Sequence, residues 1–280
     1  MGDLQIVAEG LSFPEGPRWH NGKLYFSDFY RHVVNAIAPG GELEIVAEVP
    51  TQPSGLGWLP DGRLLIVSML DRKLLRQEPD GKLVEHADLG GVATWHCNDM
   101  VVDKEGRAYV GNFGFDTHGG GSQKPADLAR VDPDGSVTVA AREFQFPNGT
   151  VITPDGKQLV IGETRAQRLT AFDIDADGNL SNRRLWADID PHYPDGICLD
   201  AEGAIWVADP RGNCFIRVKE GGEITDMIDV GRGAYACMLG GDDGCTLFMC
   251  TATGSGPHAE ARRDGRIEAA RVAVPHAGLP

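Results

Sequence analysis

Short apolar runs alternate with turn sequences along the chain, and no segment carries a helical period of useful length. The most continuous apolar runs are residues 23–26, 64–67, 108–110, 159–161 and 205–207. Continuous runs of this length are typical of strands that are covered on both faces. Asp-Gly pairs or their equivalents precede most of these runs and provide turn chemistry. The pattern predicts an all-β fold.

One unit occurs six times, with an apolar, Pro, polar and Gly entry, a strand, a turn and an apolar return strand. Its turn glycines are Gly22, Gly62, Gly106, Gly156, Gly203 and Gly244, so successive turns lie 40, 44, 50, 47 and 41 residues apart. A period of this size with about four strands per unit is typical of a propeller blade. We therefore predict a six-bladed β-propeller that forms one domain over residues 1–280.

The last unit is one strand short, because the chain ends soon after residues 265–272. Residues 4–9 precede the first unit and resemble residues 43–48, which form the last strand of that unit. We predict that the N-terminal strand completes the sixth blade. This closure removes the open sheet edge that the ring would otherwise present.

Charge and composition argue against several classes of protein. The chain of 280 residues has a formal net charge of −15, whereas binding to nucleic acid requires clustered Lys and Arg. No apolar run approaches the ~20 residues that span a bilayer, and no secretory signal is evident. The six cysteines form no CxxC pair, which favours a cytoplasmic location. We expect a monomer or weak dimer without nucleic-acid or membrane partners.

The polar position of the entry varies among the units in an informative way. Its occupants are Glu15, Ser54, Asn98, Asn148, Asp195 and Tyr235. The first strand of each propeller blade lines the central channel, so these side chains are expected to converge on the axis. Any one of them next to Gly is typical of a turn residue. Four oxygen donors in one repeat position instead favour a metal site.

The donor set contains two carboxylates, two amides and no Cys. Such oxygen ligands suit Ca²⁺, Mg²⁺ or Mn²⁺ better than Zn²⁺. Three or four protein ligands would leave coordination positions for water and substrate, as a catalytic metal requires. Asp99 stands where most copies have Gly, and its role as a further ligand or as a turn former stays open.

The motifs at these positions resemble those of the regucalcin/gluconolactonase family of senescence-marker-protein-like lactonases. The residues that carry the resemblance are 13–17, 98–99, 146–149, 193–200 and 236–241. The resemblance implies a divalent metal bound by Glu15, Asn148 and Asp195, with Asn98 as a further ligand or a substrate contact. Ca²⁺ is preferred, with Zn²⁺, Mn²⁺, Mg²⁺ or Fe²⁺ as alternatives. The implied activity is hydrolysis of a small-molecule lactone.

One departure from the family concerns the substrate. His96 stands where sugar-lactone members commonly have Arg, and residues 111–116 lack the acidic residue that contacts sugar hydroxyls. Trp95, Phe113, Phe115 and Tyr193 together favour a less polar or aromatic lactone, although for each of them alone packing between blades is the better explanation. We expect Asn98, His96, Phe113 and Trp95 to contact the substrate.

In the expected mechanism the metal acts as a Lewis acid and Asp195 is the general base toward water. His96 either donates to the ring oxygen, orients the substrate or is a neutral residue of the channel wall. Residues 116–124, which include Gly119, Gly120 and Gly121, form either a mobile loop over the mouth or a plain connection. Glu163 and Arg168 are expected to form an ion pair within their blade.

Two other functions are compatible with the same propeller. Diisopropyl fluorophosphatase and paraoxonase have a similar calcium set, so a phosphoesterase or arylesterase is the second hypothesis. The third is a calcium-binding or protein-docking propeller without catalysis. A Ser-His-Asp hydrolase is disfavoured, because no GxSxG motif is present.

Overall fold

A computed structural model describes residues 4–117, 119–256 and 258–278. It contains six antiparallel sheets of four strands each. The predicted six-bladed β-propeller is confirmed.

The blades follow one another along the chain, and each runs from an inner to an outer strand. Blade one contains β2 (Pro14–His20), β3 (Lys23–Asp28), β4 (Val33–Ile37) and β5 (Glu44–Glu48). Blade two contains β6 (Pro53–Trp58), β7 (Leu64–Ser68), β8 (Lys73–Gln77) and β9 (Leu83–Asp88). Blade three contains β10 (Cys97–Val102), β11 (Ala108–Asn112), β12 (Ala126–Val131) and β13 (Val137–Phe144).

The second half of the ring repeats this order. Blade four contains β14 (Pro147–Ile152), β15 (Gln158–Glu163), β16 (Arg168–Ile174) and β17 (Leu180–Asp188). Blade five contains β18 (Ile197–Leu199), β19 (Ile205–Asp209), β20 (Cys214–Val218) and β21 (Ile224–Asp229). Blade six contains β22 (Gly233–Gly240), β23 (Thr246–Ala252), β24 (Gly265–Arg271) and β1 (Gln5–Leu11).

The N-terminal strand closes the ring, as predicted. β1 pairs antiparallel with β24, from Gln5 opposite Ala269 to Leu11 opposite Gly265. The outer edge of blade six is thereby formed by a strand from the other end of the chain. The sheet edge of β24 is paired rather than open.

The predicted turns and return strands are also present. All six turn glycines have positive φ, which residues with a side chain rarely adopt. The return strands β7, β11 and β19 are buried along their whole length. Their continuous apolar sequence therefore reflects coverage on both faces.

The hydrophobic core is divided among the spaces between neighbouring blades. One cluster joins Leu65 and Val67 of blade two to Met100 and Val110 of blade three. Another cluster joins blades four and five, and the largest cluster spans blades five, six and one. Because each blade packs on the next, the core fixes the inner strands around one axis.

Short helical segments lie in the connections. Two 3-10 turns span Phe29–Arg31 and Thr164–Ala166, and one helix, α1, spans Ala259–Arg262. The helix was not predicted. Ala259 packs with Phe13 and Phe29 in a small cluster at the end of the channel. No helix within the described ranges is long and apolar enough to cross a membrane.

Candidate functional site

In blades one to four the polar entry position lies within the inner strand rather than in a turn, whereas Asp195 of blade five directly precedes β18. In blades one to four, three residues of the inner strand span the distance that two residues span on the partner strand. Glu15 is opposite Ser27, for example, whereas Arg18 is opposite Tyr25. The same irregularity occurs at residues 53–56, 97–100 and 147–150. Bulges of this kind redirect side chains, and here they coincide with the variable polar position.

Glycines beside the polar position let neighbouring inner strands approach closely. A Cβ on Gly149 would lie 2.4 Å from the backbone nitrogen of Ile197, and one on Gly196 would lie 2.4 Å from Cβ of Ala236. The Gly149 N–H also donates to the carbonyl oxygen of Asp195 at 3.1 Å. These glycines are required for contact between blades, not for turns.

The structure brings four of the predicted residues to one cleft of about 760 Å³ at the end of the channel. Its lining includes Glu15, Asn98, Asn148 and Asp195, together with Tyr235 of blade six. Ser54 lies behind this lining and is buried. The oxygen donors of blades one, three, four and five therefore face a shared space.

Hydrogen bonds hold the amide side chains in place. Asn98 Nδ2 donates to Asn148 Oδ1 at 2.9 Å, and Ser54 Oγ donates to Asn98 Oδ1 at 3.4 Å. Asn148 Nδ2 donates to Thr164 Oγ1 at 3.2 Å, and the Thr164 hydroxyl donates to the carbonyl oxygen of Pro194 at 2.6 Å. The chain of contacts links four consecutive blades and fixes both amides at the cleft.

The surroundings of the cleft raise the pKa of both carboxyl groups, Glu15 and Asp195. Burial, followed by the charge of Asp195, raises the pKa of Glu15 well above its ordinary value. Burial also raises the pKa of Asp195, as do the charges of Asp99 and Asp209, whereas a hydrogen bond from Asn148 lowers it. Glu15 is buried and Asp195 is partly buried, and two carboxyl groups at one cleft form a region of negative potential.

The residues fit a divalent cation. Among the described residues, neither Glu15 nor Asp195 forms an ion pair with a basic side chain. A divalent cation would compensate both carboxylates, and the neighbouring amides add neutral oxygen donors that hard cations prefer. Glu15, Asn148 and Asp195 would hold it, with Asn98 beside them.

The role of Asp99, left open above, is an ion pair. Arg18 of β2 donates to Asp99 Oδ1 at 2.9 Å, and both side chains are buried. The guanidinium group also donates to the carbonyl oxygens of Pro17 and Met100. Asp99 of blade three is thus paired with Arg18 of blade one. It lies inside β10 rather than in a turn.

The predicted substrate contacts are only partly at the cleft. His96 and Phe113 line it, whereas Trp95 stacks on His96 with ring centroids 4.8 Å apart and is not part of the lining. Tyr193 lines the cleft, and Phe115 packs on Phe146 behind it. We therefore assign Trp95 and Phe115 to the support of the wall.

The predicted loop of blade three reaches the mouth through Thr117, which lines the cleft. The backbone N–H groups of Gly119 and Gly121 donate to Asp116, so the segment turns back on itself. Residue 118 lies outside the described residues. A lid function of residues 116–124 stays a prediction. The predicted ion pair of Glu163 and Arg168 is present, at 2.9 Å.

A second cluster with metal-binding residue types lies in blade five. The ligand atoms of His192, Asp209 and Cys214 lie within 4.8 Å of one another. His192 Nδ1 is 2.7 Å from Asp209 Oδ2. Asp209 ends β19 as Asp28 ends β3, where Asp28 accepts hydrogen bonds from the segment that enters blade one. The arrangement is therefore typical of a contact that secures a blade entry.

Comparison with known proteins agrees with the geometry. The family model described as SMP-30/Gluconolactonase/LRE-like region matches residues 13–253. The chain belongs to this family. It is similar to the pentonolactonase of Haloferax volcanii, with 28% identity over 90% of this chain and 86% of that protein. It is also similar to the 6-deoxy-6-sulfogluconolactonase of Pseudomonas putida, with 26% identity over 98% and 96% of the two chains.

This SMP-30/gluconolactonase-family chain is also similar in fold to solved structures. A luciferin-regenerating enzyme superposes with a TM-score of 0.84 at 19% identity and covers 98% of this chain and 97% of that one. At this level of identity the likeness concerns the fold.

Several residues at the cleft were not predicted. They include Tyr30, Phe146, Thr164, Arg165 and Arg211. Most follow the second strand of a blade, in connections that share no motif among the repeats. Tyr30, Thr164, Arg165 and Arg211 share a position one or two residues after a return strand, whereas Phe146 directly precedes the inner strand β14.

Proposed function

We propose that this protein is a metal-dependent lactonase with its active site at the cleft end of the channel. The observation that carries the proposal is the shared cleft of Glu15, Asn98, Asn148 and Asp195, in which neither carboxylate forms an ion pair among the described residues. The similarity to proteins named as lactonases supports the same class of reaction.

A bound divalent cation would polarise the lactone carbonyl and lower the pKa of a nearby water. Glu15, Asn148 and Asp195 would hold the cation, Ca²⁺ by our preference. The chain then supplies the proton transfers and the orientation of the substrate.

Asp195 is proposed as the general base. Its carboxylate accepts a proton as the water oxygen bonds to the carbonyl carbon, and the bond between that carbon and the ring oxygen then breaks. The ring oxygen takes up a proton and becomes the hydroxyl of the product.

Asn98 and His96 are proposed to orient the substrate. Asn98 is fixed by Ser54 and Asn148, so its amide is preorganised at the cleft rather than mobile. His96 lines the cleft beside Phe113 and is proposed to donate to the ring oxygen or to contact the substrate body. Phe113 contributes apolar wall, which supports a lactone less polar than a sugar lactone.

The test is a panel of sugar and aromatic lactones with an aryl phosphate ester, after chelation and reconstitution with single metals. We expect lactone hydrolysis that chelation abolishes and one or more divalent ions restore. Asp195→Asn should lower kcat by roughly 100- to 10,000-fold. Glu220→Gln, a change of an exposed carboxylate outside the cleft lining, is the matched control and should stay within about threefold of wild type. Exclusive turnover of the phosphate ester, or full activity of Asp195→Asn, would contradict the proposal.

A further inference from the structure

The rim of the cleft is formed by equivalent turns from successive blades. Each turn follows the second strand of its blade, and its side chains reach the mouth. The lining residues from these turns are Phe29 and Tyr30 in blade one, Met69 and Leu70 in blade two, Phe113 in blade three, Thr164 and Arg165 in blade four, and Pro210 and Arg211 in blade five. The side chains that these turns contribute are mostly apolar on blades one to three and include one arginine on each of blades four and five.

The two rim arginines lack acidic partners. Among the described residues, neither Arg165 nor Arg211 forms an ion pair, whereas Arg168 and Arg183 in blade four both pair with Glu163. Both rim arginines are exposed. In a chain with a net charge of −15, unpaired guanidinium groups at a cleft create a local attraction for anions that the rest of the surface opposes.

Arg211 is held in position at the cleft wall. Its guanidinium carbon lies 4.1 Å from the centroid of the Tyr193 ring, and its backbone N–H donates to Asp209 Oδ1 at 3.0 Å. Stacking on an aromatic face restrains the guanidinium plane and leaves its N–H groups available for a bidentate contact with an oxyanion. Tyr193 lies two residues before Asp195, so the stacked pair adjoins the proposed base.

Another part of the cleft wall is aromatic. Phe13 contacts Phe29, Tyr30 and Tyr235, with ring centroids 4.5–5.8 Å apart. Phe113 stacks on Phe146 at 4.9 Å. Besides Glu15 and Asp195, the acidic side chain among the described residues that lines the cleft is Glu260 of α1. It lies in blade six, whereas the two arginines lie in blades four and five.

We propose that Arg165 and Arg211 form an anion subsite, and that the substrate is a lactone carrying a carboxylate, sulfonate or phosphate group away from its ester. Its apolar body lies against the aromatic wall, and its anionic group is bound by the two arginines. The part of this inference that concerns the ester rests on the proposed lactonase function. The part that concerns the anion subsite rests only on the residues of the rim.

The test compares γ-(4-carboxyphenyl)-γ-butyrolactone with its neutral 4-carbamoylphenyl analogue. We expect wild-type protein to prefer the carboxylate. Arg165→Gln and Arg211→Gln should each lower kcat/KM for the carboxylate by about 10- to 100-fold, mainly through KM, because each removes a charged hydrogen-bond donor. Turnover of the carbamoyl analogue should change by less than about threefold. Arg31→Gln, in the corresponding turn of blade one but outside the cleft lining, is the matched control and should leave both substrates unchanged.

Tyr193→Leu tests the positioning of Arg211. The Tyr193→Leu variant retains Arg211 but should have a smaller preference for the carboxylate substrate. Tyr193→Phe should keep the wild-type preference, because the stacking face remains. Equal losses for charged and neutral lactones in the arginine variants, or no loss for either, would overturn the subsite.

A binding measurement separates this inference from the lactonase proposal. The probe is 2-(4-carboxyphenyl)tetrahydrofuran, which has no ester to hydrolyse. Calorimetry should detect binding to wild-type protein that Arg211→Gln weakens by about tenfold or more. Binding without hydrolysis of any lactone would retain the subsite and contradict the lactonase. Hydrolysis of neutral lactones, together with equal binding of the probe by wild type and Arg211→Gln, would retain the lactonase proposal and contradict the subsite.

Discussion

Glu163 is a buried carboxylate whose charge is stabilised by several donors. It accepts hydrogen bonds from the Thr170 hydroxyl at 2.6 Å and the Gln145 N–H at 2.8 Å, and it pairs with Arg168 and Arg183. Burial by itself raises its pKa, but these contacts outweigh burial and hold the pKa below the ordinary value of 4.5. The group therefore stabilises the fold above pH 4.5, and this contribution is lost as the pH falls through the folded-state pKa.

Glu163→Gln should lower the free energy of unfolding by about 2 kcal/mol at neutral pH. It should also make stability less sensitive to acid, because the variant has no carboxylate to protonate at this site. Denaturant titrations at several pH values measure both effects. Glu85→Gln, which breaks the exposed pair with Lys73, is the control and should cost less than about 1 kcal/mol. Parallel acid profiles for wild type and Glu163→Gln would contradict this account.

The inner strands depend on close approach at their glycines. Gly149→Ala would place a Cβ 2.4 Å from the backbone nitrogen of Ile197, and backbone cannot move aside as a flexible side chain can. We expect a loss of at least roughly 2–3 kcal/mol in the free energy of unfolding. Gly91→Ala is the matched control, because a Cβ there meets nothing within 4 Å. Equal stability of the two variants in urea titrations would refute the close-approach role.

The blade repeat and the meeting of the polar entry residues at one cleft could be predicted from sequence, because both the turns and the entry position recur. Turn glycines and continuous apolar strands mark each blade, and the polar entry position marks the channel. Asp99 was ambiguous because its partner, Arg18, is 81 residues away. Arg165 and Arg211 were not predicted, since their turns have no repeated motif and their meeting at one rim is a property of the closed ring. Trp95 was expected to contact substrate but is not part of the cleft lining, because composition alone does not tell which way an aromatic ring beside a strand end points.

Closure of the ring joins the two ends of the chain into one blade. Removal of residues 1–11 deletes β1 and exposes the edge of β24, which would favour pairing with other molecules. We expect a lower midpoint of thermal unfolding and concentration-dependent light scattering. A synthetic peptide of residues 1–12 should restore both when added in excess, because it supplies the missing strand. An unchanged midpoint for the truncated chain would contradict closure by β1.

Convergence of distant residues on one cation is the central claim, and it is tested most directly in a crystal of protein reconstituted with Mn²⁺. The anomalous difference map should contain one strong peak at the channel end, within coordination distance of carboxylate oxygens of Glu15 and Asp195 and the amide oxygen of Asn148. A map with no peak at these residues, or with its peak at His192, Asp209 and Cys214 instead, would contradict the account.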